Sequence, residues 1–286
     1  ECAFARLSRD PAFPIVVPAC LYADYHAESG TGLLITQRIA FGRDGIEPQH
    51  GKCLDDALPK PEAHYAAILT ALARLAGADK AVRLSVPVGV TGFDGEAHAV
   101  AHRVSYTAEQ LRKRVERYGD FSAGYPGLIP EHLRTPAFLA ALMTHAVRVP
   151  ALEAKIHHEL ARTREHIALS HWNANIDNAW FWTGSDGVLR CGLLDWGCAG
   201  RMNIAMAIWG ALSGAETVLW ERHFDALLGL FVEEFHRSGG PPLSPEALKH
   251  HVLLYVGLMG LNWLLDVPAY LLRNIPDLAE VQSRHD

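Results

Sequence analysis

Apolar and polar positions alternate along this chain in two rhythms, short extended runs near the start and middle and helical repeats elsewhere. In ECAFARL, Glu1, Phe4 and Leu7 recur at helical spacing until Pro11 and Pro14 interrupt them, which predicts the tail of a helix. IVVPACLYADY and GLLITQRI are apolar and β-branched, and the turn residues of HAESGTG lie between them, so two antiparallel strands are predicted. The glycine- and charge-rich FGRDGIEPQHGK then marks a boundary, dividing residues 1–41 from residues 42–286. Tyr65, Ile68, Leu69, Leu72 and Leu75 predict a helix from Glu62, introduced by Pro59 and Pro61. Residues 81 to 106 follow no single period and receive no element. Thr107 with Gln110 forms a capping box before LRKRVERYG, and YGDFSAGYPGLIPEHLRTP reads as a loop or broken helix. Pro136 opens an apolar helix through Val147, and another spans Ala151 to Glu165. NAWFW, TGSDG and VLRCGLLDWG then read as strand, turn and strand. The remainder is helical: Ile204 to Leu212, Val218 to His236 stopped by SGGPP, and a helix capped by Ser244 with Pro245 in its first turn. Neither internal repeats nor low-complexity tracts are present.

Composition narrows the class. The 286 residues, 49 % of them apolar, suffice for a sizeable core, which makes the chain globular. A formal charge of -6 argues against an electrostatic grip on nucleic acid or an anionic membrane and suits a small neutral or cationic substrate. The five cysteines, widely spread and without a CxxC pair, predict reduced thiols in a cytoplasmic protein and no zinc site of cysteine type. VLLYVGLMGLNWLL is 14 residues long and contains Asn262, so a buried helix is expected rather than a membrane span. No signal peptide opens the chain; it begins at Glu1 rather than a methionine, and an N-terminal piece is expected to be missing. Oligomeric state is not legible.

The chemistry concentrates in SHWNANIDNAWFW and GLLDWG. His171 is followed by Asn173 two residues on and Asn178 seven on, and a hairpin then leads to Asp195. That hairpin brings Asn178 and Asp195 together, and an amide oxygen with a carboxylate is the donor set expected for magnesium beside the phosphates of ATP.

These residues resemble the catalytic and metal loops of the aminoglycoside phosphotransferase family, small-molecule kinases with a protein-kinase-like fold. The family pattern is a His, an Asp two residues later, an Asn seven after the His, and a hairpin ending in Asp, often as DWG. His171, Asn178 and Asp195 match it. PACLYADYHAESGTGLLITQRI is similar to the last small-lobe strands and hinge, and AAILTALARLAGADK to the first large-lobe helix, so the resemblance covers essentially the whole chain. It implies an α+β, protein-kinase-like fold with a partial small β lobe and hinge over residues 1–41 and a mainly helical large lobe over 42–286. It implies ATP and Mg²⁺ as cofactors, Asn178 and Asp195 as metal ligands, Gln37, Arg38 and Ile39 as the stretch receiving the adenine, and Glu1 as the helix glutamate that pairs with a lysine in upstream sequence. His171 would support the loop by hydrogen bonds.

Two departures qualify the pattern. Asn173 stands where the family has the Asp that accepts the substrate's hydroxyl proton, and an amide can orient a hydroxyl but cannot take up its proton at neutral pH; Asp177 is the neighbouring carboxylate that could substitute. No glycine-rich loop or lysine precedes the hinge, so weak nucleotide binding is expected. The function implied is phosphoryl transfer to a hydroxyl of a small molecule. The alternative is a pseudokinase acting as a binding or regulatory module.

Other residues receive plainer readings. Trp172, Trp180, Phe181, Trp182 and Trp196 are expected to pack the core and hairpin, and Asn175 to cap the loop. Asp266 is expected to cap the turn at Pro268, and Asp225, Glu233 and Glu234 to form a solvated helix face. The histidine pairs at 157–158 and 250–251 are not expected to bind metal, because adjacent helical residues face different ways.

Overall fold

The structure, a computed structural model, describes residues 1–81 and 106–281. The stretch without a period therefore lies almost wholly outside the described residues. In chain order the elements are α1 (Cys2–Leu7), β1 (Cys20–His26), β2 (Thr31–Thr36), α2 (Pro61–Lys80), α3 (Ala108–Gly124), α4 (Pro136–Ala146), α5 (Val149–Arg162), β3 (Ile167–His171), β4 (Ala179–Thr183), β5 (Leu189–Leu193), β6 (Ala199–Asn203), α6 (Ile204–Leu212), α7 (Thr217–Arg222), α8 (Phe224–Arg237), α9 (Pro245–Asn262) and α10 (Val267–Asn274). The class is mixed α+β, with small antiparallel sheets pairing β1 with β2, β3 with β6, and β4 with β5. Two compact units are present, Glu1–Val100 with Leu160–Leu253 and Ala101–Glu159 with Leu254–Asp286.

The first unit is organised on α2. Pro61 opens this helix, where its missing N–H costs nothing. Tyr65, Ile68, Leu69, Leu72 and Leu75 are all buried, each removing from water apolar area worth about 1.5–3 kcal/mol. Gly77 allows α8 to come close: a Cβ there would lie 2.4 Å from the carbonyl oxygen of Phe235. At the end of α2 the buried Asp79 carboxylate accepts the amide of Leu169 at 2.9 Å and pairs with Arg201 at 2.8 Å, tying the helix to both strands of the β3–β6 sheet.

Strands β3 and β6 were not expected from the sequence. Ile167–His171 is buried along nearly its whole length, so it shows no alternation to mark it as a strand. That helix stops at Arg162, short of the expected Glu165, and a 3-10 turn at Arg164–His166 separates it from β3. The expected helix from Val218 to His236 is likewise two helices, α7 and α8, meeting at His223. By contrast α6 spans Ile204–Leu212 as expected, entirely buried, with Asn203 as its cap: Asn203 Oδ1 accepts the amide of Ala205 at 3.0 Å.

The β4–β5 hairpin gains partners on both sides. Leu193 N donates to Val16 O at 3.1 Å and Glu47 N donates to Phe181 O at 2.9 Å. Gly192 faces the Trp180 ring so closely that a Cβ would meet it at 2.2 Å. The β1–β2 hairpin is held to α1 by Arg6, whose guanidinium donates to Ala23 O at 3.1 Å and to Asp24 at 2.7 Å. Its β2 strand is exposed throughout, Leu33, Leu34 and Ile35 included.

In the second unit, α3 starts with the expected capping box between Thr107 and Gln110, and Thr135 Oγ1 caps α4 by accepting the amide of Phe138. Asp266 does not cap with its side chain. It forms an ion pair with Arg114 and accepts the Tyr106 hydroxyl at 3.2 Å, and the guanidinium lies 3.6 Å over the Tyr106 ring. Nor is Glu234 solvated: it is buried in the first unit, paired with Arg74 at 2.6 Å and with Arg237.

Among the described residues one helical run, Pro245–Asn274, is long and apolar enough by length and composition to cross a bilayer, with a mean hydropathy of 1.5 and 39 % of the window buried. It exceeds the 14-residue apolar stretch because α9 begins at Pro245 and a 3-10 turn at Leu264–Asp266 carries the helical run onward to Asn274. The bent pair α4 and α5, at 70°, meets the same test only when taken as one span.

Candidate functional site

β3 delivers His171 to the start of the polar loop. The ring is fully buried and donates from Nε2 to the carbonyl of Leu194 at 3.0 Å. Nδ1 has no partner. Burial holds the imidazole pKa down at about 4, against the smaller upward effects of the Leu194 carbonyl and Asp195. His171 is therefore neutral at pH 7 and acts as a strut between β3 and the end of the hairpin, not as an acid or base.

The loop is stitched by its own amides. Asn175 Nδ2 donates to Asn173 Oδ1 at 2.8 Å, and Asn178 Nδ2 donates to the Asn173 carbonyl at 2.9 Å. Asn175 thus braces the loop through Asn173 and caps no amide with its side chain. The orientation of Asn178 leaves its Oδ1 as the atom able to face a cation. Asn178 is buried on the 3-10 turn Ile176–Asn178, and its carbonyl accepts the amide of Leu194 at 2.9 Å. One backbone bond therefore joins the loop to the residue preceding Asp195. Asp177 lies on the same turn, half-buried, and makes no ion pair among the described residues. The loop packs closely on α6, where a Cβ on Gly210 would lie 1.7 Å from the carbonyl oxygen of Trp172.

Asp195 sits in the left-handed region, φ 60° and ψ 62°, with its side chain exposed. A non-glycine residue there carries strain that is held by its surroundings. The holding group is Trp196, buried against Phe4 in a stack 3.7 Å between centroids and against the His171 ring at 4.5 Å, with Nε1 donating to Leu193 O at 3.1 Å. The stack with Phe4 carries α1 to this turn, and Glu1 arrives beside Gly197: a Cβ built there would lie 3.7 Å from Asp195 Oδ1 and 3.8 Å from Glu1 Cδ. Both negative charges reach Cys198, whose thiol is pushed up by burial and further by Asp195 and Glu1. Among the described residues neither carboxylate makes an ion pair.

Glu1, Gln37, Arg38, Ile39 and Asp195 line one cavity of about 680 Å³, together with Arg43. Asn173, Asp177 and Asn178 are not part of its wall. The Gln37 amide is already used, donating to Ala19 O at 2.8 Å. Sequence reasoning missed Arg43, Phe4 and the role of Trp196. Arg43 belongs to the glycine-rich loop, and only the folded loop returns it to the cavity beside Gln37, Arg38 and Ile39. Phe4 had helical spacing to indicate burial but no signal of its partner. The aromatic run of the hairpin packs as expected: Trp180, Phe181 and Trp196 are buried and Trp182 is half-buried.

No family model matches the chain, and no curated protein matches it. Among solved structures, an aminoglycoside phosphotransferase from Streptomyces rimosus is similar at 18 % identity, over 91 % of this chain and 80 % of that one, with a TM-score of 0.40. A likeness at that level leaves the function to be read from the chain's own residues.

Proposed function

We propose that this chain is a kinase-like phosphotransferase that uses Mg²⁺ and ATP to phosphorylate a hydroxyl of a small molecule. The observation that carries the reading is that Asp195 and the hinge residues Gln37 to Ile39 line the same cavity, while one hydrogen bond joins Asn178 to the residue beside Asp195. In this reading residues 1–41 are a partial N-terminal lobe with its hinge, and residues 42–286 are the C-terminal lobe.

The residues present fit a divalent cation. Asp195 and Glu1 bring two carboxylates to one glycine, neither of them in an ion pair among the described residues, and Asn178 turns its amide oxygen free of the loop's hydrogen bonds. Asp195 and Asn178 would hold Mg²⁺, which supplies charge neutralisation of the phosphates when bound. Arg38 and Arg43 bring positive charge to the cavity for the phosphates. With the Gln37 amide engaged, an adenine would be met by the backbone of Arg38 and Ile39. His171 fixes the hairpin end through Leu194 and so sets where Asp195 points.

Asn173 Oδ1 already accepts from Asn175 and has a second lone pair for a substrate hydroxyl, so it orients the acceptor without removing its proton. Phosphoryl transfer rests chiefly on positioning and charge, and the base adds about 10²- to 10⁴-fold. The reading is accordingly a slow enzyme. Asn173 equally favours a second reading, a pseudokinase that binds without transfer. The variant Asn173→Asp separates the two, since a carboxylate keeps the acceptor role toward Asn175 and adds a base. Transfer from Mg-ATP to a panel of polyols, amino alcohols and aliphatic alcohols should rise about 10²- to 10⁴-fold in the variant. No transfer by a folded Asn173→Asp protein to any acceptor would favour the pseudokinase.

A further inference from the structure

Glu47, His50 and His64 converge at one point in the first unit. Glu47 Oε2 lies 2.9 Å from His64 Nε2 and 3.1 Å from His50 Nε2, and the ligand atoms of the three residues all lie within 4.8 Å of one another. We propose that these residues form a binding site for one divalent cation of the zinc class, an inference independent of the phosphotransferase reading.

The side chain of His64 is 1 % exposed, so both ring nitrogens must find their partners within the protein. Its Nδ1 lies 2.8 Å from the carbonyl of Lys60. A carbonyl only accepts, so Nδ1 carries the proton, and in a neutral imidazole Nε2 is then a bare lone pair. That lone pair faces a carboxylate oxygen, itself only an acceptor, at 2.9 Å. Two acceptors at this distance require a positive centre between them, either a second proton on a buried ring or a metal ion. His50 aims its own Nε2 at the same oxygen. A single cation about 2.0–2.1 Å from each nitrogen and about 2.0–2.2 Å from the carboxylate would satisfy all three groups.

The supporting frame is that of a ligand site. The Lys60 carbonyl fixes the tautomer of His64 and exposes Nε2, as outer partners of metal-bound histidines do. His64 stands on the first turn of α2. Glu47 is pinned by its amide to Phe181 O on β4 at 2.9 Å, and His50 follows three residues later. Both imidazoles pack edge-on against the Phe181 ring, at 5.6 Å and 4.6 Å. Two imidazoles with one carboxylate are the donors of a three-ligand zinc site with water in the fourth position, and nitrogen donors disfavour magnesium.

The test is titration of the chelator-stripped chain with ZnCl₂ against a chromophoric competitor, beside His50→Ala and Glu47→Gln. The expected result is one zinc equivalent in the wild type, a rise of several degrees in Tm on binding, no competition by Mg²⁺, and a loss of affinity of about 100-fold in each variant. His50 lies in a loop and its replacement leaves α2 intact, so that variant keeps the comparison valid if others fail to fold. Wild-type affinity no tighter than that of His50→Ala would overturn the proposal, leaving a His64 imidazolium paired with Glu47.

Discussion

Phe4 stacks on Trp196 with centroids 3.7 Å apart and planes 12° apart, and this one contact joins α1 to the strained turn that presents Asp195. Trp196→Ala should cost about 3–5 kcal/mol, the usual loss for a buried aromatic, and Trp196→Phe distinctly less because a ring remains for Phe4. Urea unfolding of the two variants checks this. Equal losses would mean that the stack contributes little.

Asp195 occupies a backbone conformation suited to glycine and places its carboxylate beside that of Glu1. Asp195→Gly should therefore raise stability, by up to about 1 kcal/mol, while removing any effect of Mg²⁺ on nucleotide binding. A rise in Tm together with loss of the magnesium effect is the signature of a residue kept for function. A fall in Tm would show that the side chain is structural.

His171 and His166 are both held neutral by burial, each pKa lowered from 6.5 to about 4, with His251 adding to the effect at His166. Below pH 6.5 the unfolded chain binds protons at these positions and the folded chain does not until near pH 4. Stability from these groups is thus fully present above pH 6.5 and falls as pH drops toward 4. For His171 alone the loss amounts to about 3 kcal/mol. Calorimetric unfolding near pH 5 in buffers of different ionisation enthalpy should show net proton uptake that decreases in His171→Asn. Uptake unchanged by that substitution would contradict the assignment.

Asp79 serves β3 and β6 together, accepting the Leu169 amide and pairing with Arg201. Asp79→Ala leaves the buried Leu169 amide without its acceptor and removes the ion pair with Arg201, and should cost about 2–4 kcal/mol, whereas Asp79→Asn, which keeps an acceptor, should cost less. Thermal unfolding of both variants measures the difference.

Helices with one clean buried face were legible from the sequence, as Tyr65 to Leu75 in α2 show, and so were elements marked by local chemistry, such as the capping box at Thr107. Strand β3 was not, because a strand buried on both faces loses the alternation that identifies it. Nor was the break at His223, since an apolar period runs through both α7 and α8. At the site, the spacing of His171, Asn178 and Asp195 could be read directly, while the aromatic stack that holds Asp195 depends on a contact between residues 4 and 196. The Glu47, His50 and His64 trio was overlooked because its members come from a loop and from a helix start, and only folding makes them neighbours.

In the proposed function Asp195 and Asn178 hold magnesium against ATP beside the cavity that Asp195 shares with Gln37 to Ile39. Its most direct test is the Tm of the wild type and of Asp195→Asn with ATP, in the presence of Mg²⁺ and of a chelator. The expected result is a rise in Tm that needs both Mg²⁺ and Asp195; ligand at 100 times Kd would add about 2.7 kcal/mol. A rise of equal size in the chelator, or in Asp195→Asn, would contradict it.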